Sequence, residues 1–298
     1  MAELRIAAGT KAVLIAGPTA SGKSRLALEL AGRHEGAVIN ADSMQVYAEL
    51  AILTARPTAE DTSGAPHRLY GHVPASVRFS VGRWLDDVAG ALADLRGDGR
   101  LPIIVGGTGL YFKALTEGLA QVPPIPADVR QDVLSRAEGE GSETLHRRLA
   151  EIDPEDAAEI RPSDRSRILR AIEVFEATGR SLAAWRARPA TPILDPGTAE
   201  RFVLDPDRAV LHERIAKRAE AMIHQGAIEE ARGLGNLGLS PDLPAMKAIG
   251  VGELLDHLKG KISLAEALAG IKTETRRYAK RQMTWFRHQT EGWERIAA

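Results

Sequence analysis

The sequence predicts an α/β fold, a doubly wound parallel sheet with a helical insertion domain and a helical C-terminal region. Short apolar runs alternate with helical periodicity in the first part of the chain, a pattern typical of parallel sheets. The stretch 123–197 is bordered by prolines and has helical periodicity only, and helical patterns continue from 208 to 289. We therefore divide the chain into a first part of the core (1–122), the insertion (123–197), and the completion of the core with basic C-terminal helices (198–298).

Four apolar runs have the length and flanks of buried strands. They are residues 11–17, 36–40, 101–105 and 201–204. Helical spacing follows the first strand at 24–31, and an amphipathic helix at 84–95 lies between the second and third strands. Because such sheets bind ligands at the carboxyl ends of their strands, we look for a functional site there.

Composition excludes several classes of site. The 298 residues are 44% apolar and 27% charged, and they contain no cysteine, which excludes disulfides, thiolate zinc sites and cysteine nucleophiles. No apolar run approaches the roughly 20 residues needed to cross a bilayer, and residues 1–5 lack the layout of a signal peptide. We expect a cytoplasmic protein without a membrane partner, acting as a monomer.

Charge is unevenly distributed along the chain, although the net charge is only −1. Residues 270–298 carry seven lysines and arginines against three glutamates, and residues 159–188 carry seven arginines against four acids. On charge alone, both segments are explained by solvated helix faces; a polyanionic partner is the alternative.

A phosphate-binding loop follows the first predicted strand. Residues 17–24 fit the pattern G-x-x-x-x-G-K-[ST] between a strand and a helix, as in the nucleotide-binding (ATP-binding) loop of P-loop NTPase-like folds. The backbone N–H groups and the helix N-terminus bind phosphate, Lys23 adds a mobile charge, and the Ser24 hydroxyl is a ligand for Mg²⁺. The predicted phosphate-binding residues are Gly17, Pro18, Thr19, Ala20, Ser21, Gly22, Lys23 and Ser24. The loop specifies phosphate binding without specifying a reaction.

Two further segments end at the same predicted edge of the sheet. Asp42 follows the second strand, where a Mg²⁺ ligand or a helix N-cap are the ordinary alternatives for a carboxylate. The third strand ends in the motif at 106–111, whose glycines permit close approach of backbone to a ligand and whose Thr108 offers a hydroxyl.

Five motifs occur in a fixed order, at residues 17–24, 42–47, 106–111, 164–174 and 277–287. Together they resemble the tRNA dimethylallyltransferases (tRNA isopentenyltransferases), and the resemblance extends over essentially the whole chain. Residues 54–58 and 66–67 also match this family. The chain departs from it at Arg68 and at Tyr70-Gly71, and Val251 and Gly252 replace an aromatic and a basic residue of the family pattern.

The resemblance implies transfer of a dimethylallyl group from dimethylallyl diphosphate to N6 of the adenine 3′-adjacent to the anticodon in tRNAs, with release of diphosphate and with Mg²⁺. It places the donor diphosphate in the phosphate loop, where Lys23 stabilises the leaving group. Asp42 is then the base that accepts the N6 proton. The implied catalytic residues are Thr19, Lys23, Asp42 and Arg218.

The resemblance also gives both basic segments an anionic partner, the anticodon stem-loop of tRNA. Arg167 and Arg170 share one face of a helix in the insertion, which we interpret as a tRNA clamp, and 277, 280, 281 and 284 form one stripe on the C-terminal helix. We interpret Trp285 as core packing in preference to base stacking. The implied tRNA-binding residues are Asp42, Ser43, Met44, Gln45, Thr108, Arg130, Ser166, Arg167, Ile168, Leu169, Arg170, Lys247, Lys280, Arg281, Gln282, Thr284, Trp285 and Arg287.

Three other functions are compatible with part of the pattern. A small-molecule P-loop kinase would share the loop and the sheet, but not the insertion and the basic C-terminal helix. An enzyme that prenylates free adenine nucleotides would not need these RNA-facing segments. A non-catalytic RNA-binding module would not need Lys23, Ser24 and Asp42 together.

Overall fold

The structure is a computed structural model that describes residues 4–188 and 190–298. Its centre is a six-stranded parallel sheet in the order β3-β2-β4-β1-β5-β6. The strands are β1 (Ala12–Ala16), β2 (Ala37–Asn40), β3 (His67–Arg68), β4 (Pro102–Gly106), β5 (Ala199–Leu204) and β6 (Glu294–Ile296). The four predicted strands are confirmed. Both missed strands lie at the edges of the sheet and are only two and three residues long, too short for a recognisable apolar pattern.

Thirteen α-helices occur in the described part of the chain. They are α1 (Lys23–Arg33), α2 (Ala59–Ser63), α3 (Val81–Gly97), α4 (Gly109–Glu117), α5 (Ala127–Arg136), α6 (Ser142–Ile152), α7 (Pro154–Glu159), α8 (Arg165–Thr178), α9 (Leu182–Arg186), α10 (Arg208–His224), α11 (Ala227–Asn236), α12 (Val251–Leu258) and α13 (Leu264–Gln289). Local caps explain several starts: Ser80 accepts a backbone hydrogen bond at the start of α3, and Ser263 forms a capping box with Glu266 at the start of α13.

Both faces of the sheet are covered by helices. Val13 and Ile15 of β1 pack in a cluster with Leu26 of α1, whereas Leu14 packs in a second cluster with Val88 of α3. Every residue of β1 is buried, as expected for a central parallel strand between two helical layers. The predicted doubly wound α/β fold is confirmed.

The chain divides into two compact units, one of which is Glu117–Pro192. This unit contains only helices among its described residues, α5 to α9, and has its own core, which includes Leu145, Leu149 and Ile168. Its bounds differ from the predicted insertion, 123–197. Pro189, one of the prolines used to mark its end, lies outside the described residues, as do residues 1–3.

The other unit is the sheet with its helices, and it includes the chain from Ile193 onward. The predicted end of the insertion at 197 is therefore wrong, for a physical reason. The amides of Ile193 and Leu194 both donate to the carbonyl of Leu115, at 3.1 Å, and Leu194 is buried in the core beside Phe112. A proline-rich sequence does not reveal that these two apolar residues return to the sheet layer.

No helix among the described residues combines the length and apolar character needed to cross a membrane.

Candidate active site

The phosphate loop connects β1 to α1 at the carboxyl end of the sheet, as predicted. Gly22 precedes the helix with φ of 93°, and Ala20 has φ of 63°. Positive φ values let the backbone turn sharply, as it does in loops that form an anion-binding concavity. The Lys23 ammonium folds back across the loop, where Nζ donates to the carbonyl of Pro18 at 2.8 Å.

Lys23 is the first residue of α1, and its side chain is enclosed by the site. Burial lowers the pKa of Lys23 to about 8, while the Asp42 carboxylate raises it and the Arg218 guanidinium lowers it further. A cation whose pKa is lowered by desolvation is stabilised when an anion binds beside it. The loop is therefore prepared for a phosphate-bearing ligand.

Asp42 is held at the end of β2 by its neighbours. Its backbone N–H donates to Oδ1 of Asn40 at 2.8 Å, and its own Oδ1 accepts from the Met44 N–H at 3.0 Å. Asn40 is buried, and its carbonyl accepts from the indole of Trp84 at 2.8 Å. No helix begins at Asp42, so the alternative of a helix N-cap is wrong. The carboxylate is fixed by a rigid turn at the carboxyl edge of the sheet.

A chain of hydrogen bonds joins α10, the phosphate loop, α13 and the turn after β4. Arg218 Nη2 donates to Thr19 Oγ1 at 2.6 Å, and the Thr19 N–H donates to Gln282 Oε1 at 2.9 Å. The other end of the same amide, Gln282 Nε2, donates to the carbonyl of Gly107 at 2.9 Å. Gln282 is only 5% exposed, and both ends of its amide are occupied by backbone. These bonds give Gln282 a structural role, a cross-link between two ligand-facing turns, and its contact with tRNA stays a prediction.

Two cavities meet at this point. The first, called here the phosphate cavity, has a volume of about 340 Å³ and is lined by the loop together with Asp42, Gln45 and Arg214. The second, called here the apolar cavity, has a volume of about 250 Å³. Its apolar lining includes Met44, Leu53, Ile215, Ala219, Met222, Ile249 and Ile271. Four residues line both cavities: Thr19, Asp42, Thr54 and Arg218. This combination suits a ligand with a charged phosphate end and an apolar end.

A magnesium ion would find hard oxygen donors in the phosphate cavity. Ser24 and Asp42 both line it, and hydroxyl and carboxylate oxygens are the ligands that Mg²⁺ prefers. Among the described residues there is no group of three or more His, Cys, Asp or Glu that could hold a metal. The donor set therefore fits Mg²⁺ shared between one or two side chains and the phosphates of a ligand.

Several of the residues predicted to bind RNA lie exposed along α13. They are Lys280, Arg281, Thr284 and Arg287. Arg281 also lines the apolar cavity, as does Lys247. Trp285 is only partly exposed and packs so tightly over Gly109 that a Cβ on that glycine would lie 2.2 Å from the ring. This contact supports our interpretation of Trp285 as a packing residue.

The remaining predicted RNA contacts near Asp42 also have partners inside the protein. The Ser43 N–H donates to Thr108 Oγ1 at 2.9 Å, which ties the turn after β2 to the turn after β4. Gln45 Nε2 donates to the carbonyls of Thr54 and Ala55, at 2.8 and 3.0 Å. These bonds shape the walls of both cavities.

The RNA contacts predicted in the insertion occupy different environments. Arg130 forms a bidentate pair with the buried Glu173, at 3.1 and 2.9 Å, and Arg170 Nη1 lies 3.4 Å from the same carboxylate. Arg167 is 76% exposed at its side chain, and Ser166 is exposed. At these four positions, contact with RNA stays a prediction.

The predicted RNA contact by the Ile168 side chain is corrected by the structure, because this side chain is 0% exposed and packs in the core of the insertion. Its neighbour Leu169 is partly buried against the same core. The helical period that brings Arg167 and Arg170 to the surface turns Ile168 inward. Neither backbone periodicity nor burial supports an RNA contact by this side chain.

The side chains that line the cavities and that sequence reasoning missed include Tyr70, Arg214 and Tyr278. Arg214 precedes Arg218 by one helical turn of α10, so the i, i+4 spacing was a usable signal. No comparable spacing in the sequence pointed to the two tyrosines. Burial is the main cause that raises the pKa of both Tyr70 and Tyr278, and the Asp42 carboxylate raises the pKa of both phenols further. Both phenols are therefore neutral hydrogen-bonding groups in the site.

Comparisons with known proteins identify the family of the chain. A family model described as IPP transferase matches residues 45–289, and one described as isopentenyl transferase matches residues 10–72. A tRNA dimethylallyltransferase of Agrobacterium fabrum is 54% identical over 286 residues, which cover 96% of each chain. One of Nitrobacter hamburgensis is 56% identical over 278 residues, which cover 93% of this chain and 88% of the relative.

Solved structures are also similar. The tRNA isopentenylpyrophosphate transferase of Bacillus halodurans has a TM-score of 0.69 and 36% identity, covering 97% of this chain and 90% of its own. A eukaryotic dimethylallyltransferase acting on tRNA has a TM-score of 0.81 and 27% identity, covering 97% of this chain and 74% of its own. From the near-complete matches in sequence and the shared fold, the chain belongs to the IPP transferase family, in which its relatives are tRNA dimethylallyltransferases.

Proposed function

We propose that this enzyme transfers a dimethylallyl group from dimethylallyl diphosphate to N6 of the adenine 3′-adjacent to the anticodon in tRNAs, releasing diphosphate. The observation that carries the proposal is the meeting of the phosphate cavity with the apolar cavity at Thr19, Asp42, Thr54 and Arg218. A prenyl diphosphate has the same two halves as this pair of cavities. Its reactive carbon lies between them, beside a carboxylate and a guanidinium.

The diphosphate is bound in the phosphate cavity by the loop amides, Lys23 and Arg218. Ser21 Oγ is buried there without a hydrogen-bond partner among the described residues, so its hydroxyl is available to a phosphate oxygen. As the bond between the prenyl carbon and the diphosphate oxygen breaks, the electron pair leaves with the diphosphate. Fixed cations and N–H donors stabilise the charge that accumulates there.

Ser24 is the residue that would hold Mg²⁺ together with diphosphate oxygens. The ion, when bound, neutralises charge on the leaving group. The residues of the chain bind and orient the donor around it, and Thr19 keeps Arg218 directed at the loop through the 2.6 Å hydrogen bond.

The acceptor is activated by Asp42. The adenine N6 forms the new bond to the prenyl carbon, and its proton passes to the carboxylate, a role worth on the order of 10²–10⁴-fold in rate. Oδ1 already accepts from Met44, which leaves Oδ2 to face the acceptor. An adenine in an anticodon loop must be turned out of its stack to reach this carboxylate, at a cost of a few kcal/mol.

Binding of the tRNA backbone is assigned to exposed cations, those of α13 and those of the insertion. Unpaired anticodon loops are the usual targets of sequence-specific RNA readers. We further propose that the protein acts as a monomer in the cytoplasm, where its tRNA substrate is found.

The test combines the protein with dimethylallyl diphosphate, Mg²⁺ and unmodified tRNA, followed by nuclease digestion and mass spectrometry. We expect adenosine to gain the mass of one dimethylallyl group, and chelation of Mg²⁺ to suppress the product. Parallel reactions replace tRNA with free adenine nucleotides, or the donor with ATP. Prenylation of free nucleotides alone, or consumption of ATP without RNA, would overturn the proposal in favour of the alternative enzymes.

A further inference from the structure

Glu230, on the first turn of α11, binds a distant turn of the chain. Its Oε2 accepts from the N–H groups of Ala51 and Ile52 at 2.8 and 2.7 Å, and its Oε1 accepts from the N–H of Leu53 at 2.8 Å. Three consecutive backbone donors thus converge on one partly buried carboxylate. Hydrogen bonds to an ionised acceptor are about twice as strong as those between neutral groups.

The segment held in this way, residues 51–55, forms a wall of both cavities. Leu53 and Thr54 line the apolar cavity, and Thr54 and Ala55 line the phosphate cavity. The far end of the segment is held by Gln45, whose amide donates to the carbonyls of Thr54 and Ala55. Glu230 therefore fixes the start of the wall while Gln45 fixes its end.

Leu53 is the apolar side chain that the wall contributes to the apolar cavity. Its side chain is 8% exposed and packs against Gly250, where a Cβ would lie 2.7 Å from Leu53 Cδ2. The leucine has no room to retreat on that side. Its position in the cavity then depends on the backbone of residues 51–53, which the carboxylate determines.

We infer that Glu230 is a positioning residue that holds the wall segment 51–55 against the donor, and so restricts the apolar cavity to a short, five-carbon prenyl chain. The inference rests on the proposed prenyl transfer. Glu230 itself lines neither cavity, so it acts through the three amides and through Leu53. Removal of one carboxylate oxygen leaves partly buried N–H groups without a strong acceptor, which loosens the segment.

The test compares Glu230→Gln with Glu229→Gln. Both variants remove one negative charge from the first turn of α11, but Glu229 is exposed and lies outside this set of bonds. Steady-state kinetics use tRNA with either dimethylallyl or geranyl diphosphate. For Glu230→Gln we expect the KM for dimethylallyl diphosphate to rise about tenfold and the relative kcat/KM for geranyl diphosphate to rise about tenfold. The KM for tRNA stays the same, and Glu229→Gln behaves as the unmodified chain.

Hydrogen exchange provides a readout that does not require turnover. The amides of residues 51–53 should exchange faster in Glu230→Gln and at an unchanged rate in Glu229→Gln. If Glu230→Gln folds poorly, Leu53→Ala enlarges the same wall and should raise the preference for geranyl diphosphate. A loss of active protein with unchanged donor KM, donor preference and amide exchange would overturn the inference. Failure of the proposed function is a different outcome, because the unmodified chain would then prenylate no tRNA. The amide exchange of residues 51–53 does not depend on turnover and would still test the positioning role of Glu230.

Discussion

At the scale of single residues, Asp42 carries the clearest chemical prediction. Asp42→Asn keeps an oxygen for the Met44 N–H but cannot accept the N6 proton. We expect kcat to fall on the order of 10²–10⁴-fold, with the affinity for tRNA near that of the unmodified chain. Single-turnover prenylation and a tRNA binding assay measure the two quantities. Near-full activity in the variant would show that Asp42 is not the group that accepts the N6 proton.

The lowered pKa of Lys23 predicts that the use of dimethylallyl diphosphate depends on pH. Because burial lowers the pKa of Lys23 to about 8, the ammonium is present below that pH and is lost as the pH rises through it. We expect kcat/KM for dimethylallyl diphosphate to decline above about pH 8, since the free enzyme loses a cation that binds the diphosphate. Lys23→Arg, which stays charged to a much higher pH, should lack this decline at a lower overall rate. An identical decline in both proteins would assign the titration to another group.

Local sequence patterns predicted the site only where its residues are close to a strand end, whereas the distant Arg218 was named from the family resemblance. The phosphate loop, Asp42 and Thr108 follow strands directly, so each was placed at the carboxyl edge from the sequence. The roles of Gln282 and Glu230 depend on bonds to residues more than 170 positions away. No local pattern encodes such pairs, so neither the cross-link made by the buried Gln282 amide nor the bonds of the Glu230 carboxylate can be predicted from the sequence.

At the scale of elements, long apolar strands and capped helices were predictable, whereas short edges were not. β1 and β4 are wholly buried, and their apolar runs identify them. β6 has the sequence Glu294-Arg295-Ile296 and is the edge strand beside β5. An edge strand of that composition is recognised from its partner's position, which the sequence does not contain.

A buried pair of acids predicts how the helical unit responds to pH. Asp153 and Asp156 are 2% and 0% exposed, and Asp156 accepts from Arg186 at 2.9 Å. Burial, and then the neighbouring Asp156, raise the pKa of Asp153 from 3.8 to about 6, with Glu155 adding to the rise. The folded state thus binds a proton more tightly than the unfolded state, so stability decreases as the pH rises from about 4 to 6 and stays lower above.

Asp153→Asn should remove this dependence, because its amide is uncharged at every pH in this range. Its oxygen can still accept from the Asp156 N–H, as the carboxylate does at 3.2 Å. We expect the variant to be more stable at pH 7.5 by about 1–3 kcal/mol, and to differ little near pH 4. Urea unfolding of the full chain at both values measures this, with Glu159→Gln as a control for charge near Arg186. Equal pH dependence in Asp153→Asn and the unmodified chain would contradict the assignment.

At the scale of the whole molecule, the near-neutral net charge of −1 conceals local concentrations of cations. Composition alone favoured solvated surfaces, and only the ordered motifs indicated a polyanion. In the structure, two arginines of the insertion differ in their partners: Arg130 is paired with the buried Glu173, whereas Arg167 is 76% exposed and is paired at 3.4 Å with the partly exposed Asp164. Exposure distinguishes a cation used in folding from one available to a phosphate.

Arg167→Ala with Arg170→Ala tests whether the insertion binds tRNA. Each phosphate contact that is lost reduces the slope of log affinity against log salt by about 0.7–0.9, so we expect a slope smaller by about 1.4–1.8 if both arginines contact phosphate. The KM for tRNA should rise, while the KM for dimethylallyl diphosphate stays unchanged because the phosphate cavity lies entirely in the other unit. The measurement is tRNA binding from about 50 to 200 mM salt.

The matched control is Arg147→Ala with Arg161→Ala, which removes the same charge from exposed positions of the same unit. If the insertion attracts RNA only through its general positive charge, both double variants should change the salt slope by the same amount. Direct contact changes only the first, because counterion release requires a cation held against the phosphate. An unchanged slope in Arg167→Ala with Arg170→Ala would show that these arginines form a solvated helix face. The tRNA would then be bound by the stripe of α13, where Lys280 and Arg281 are exposed.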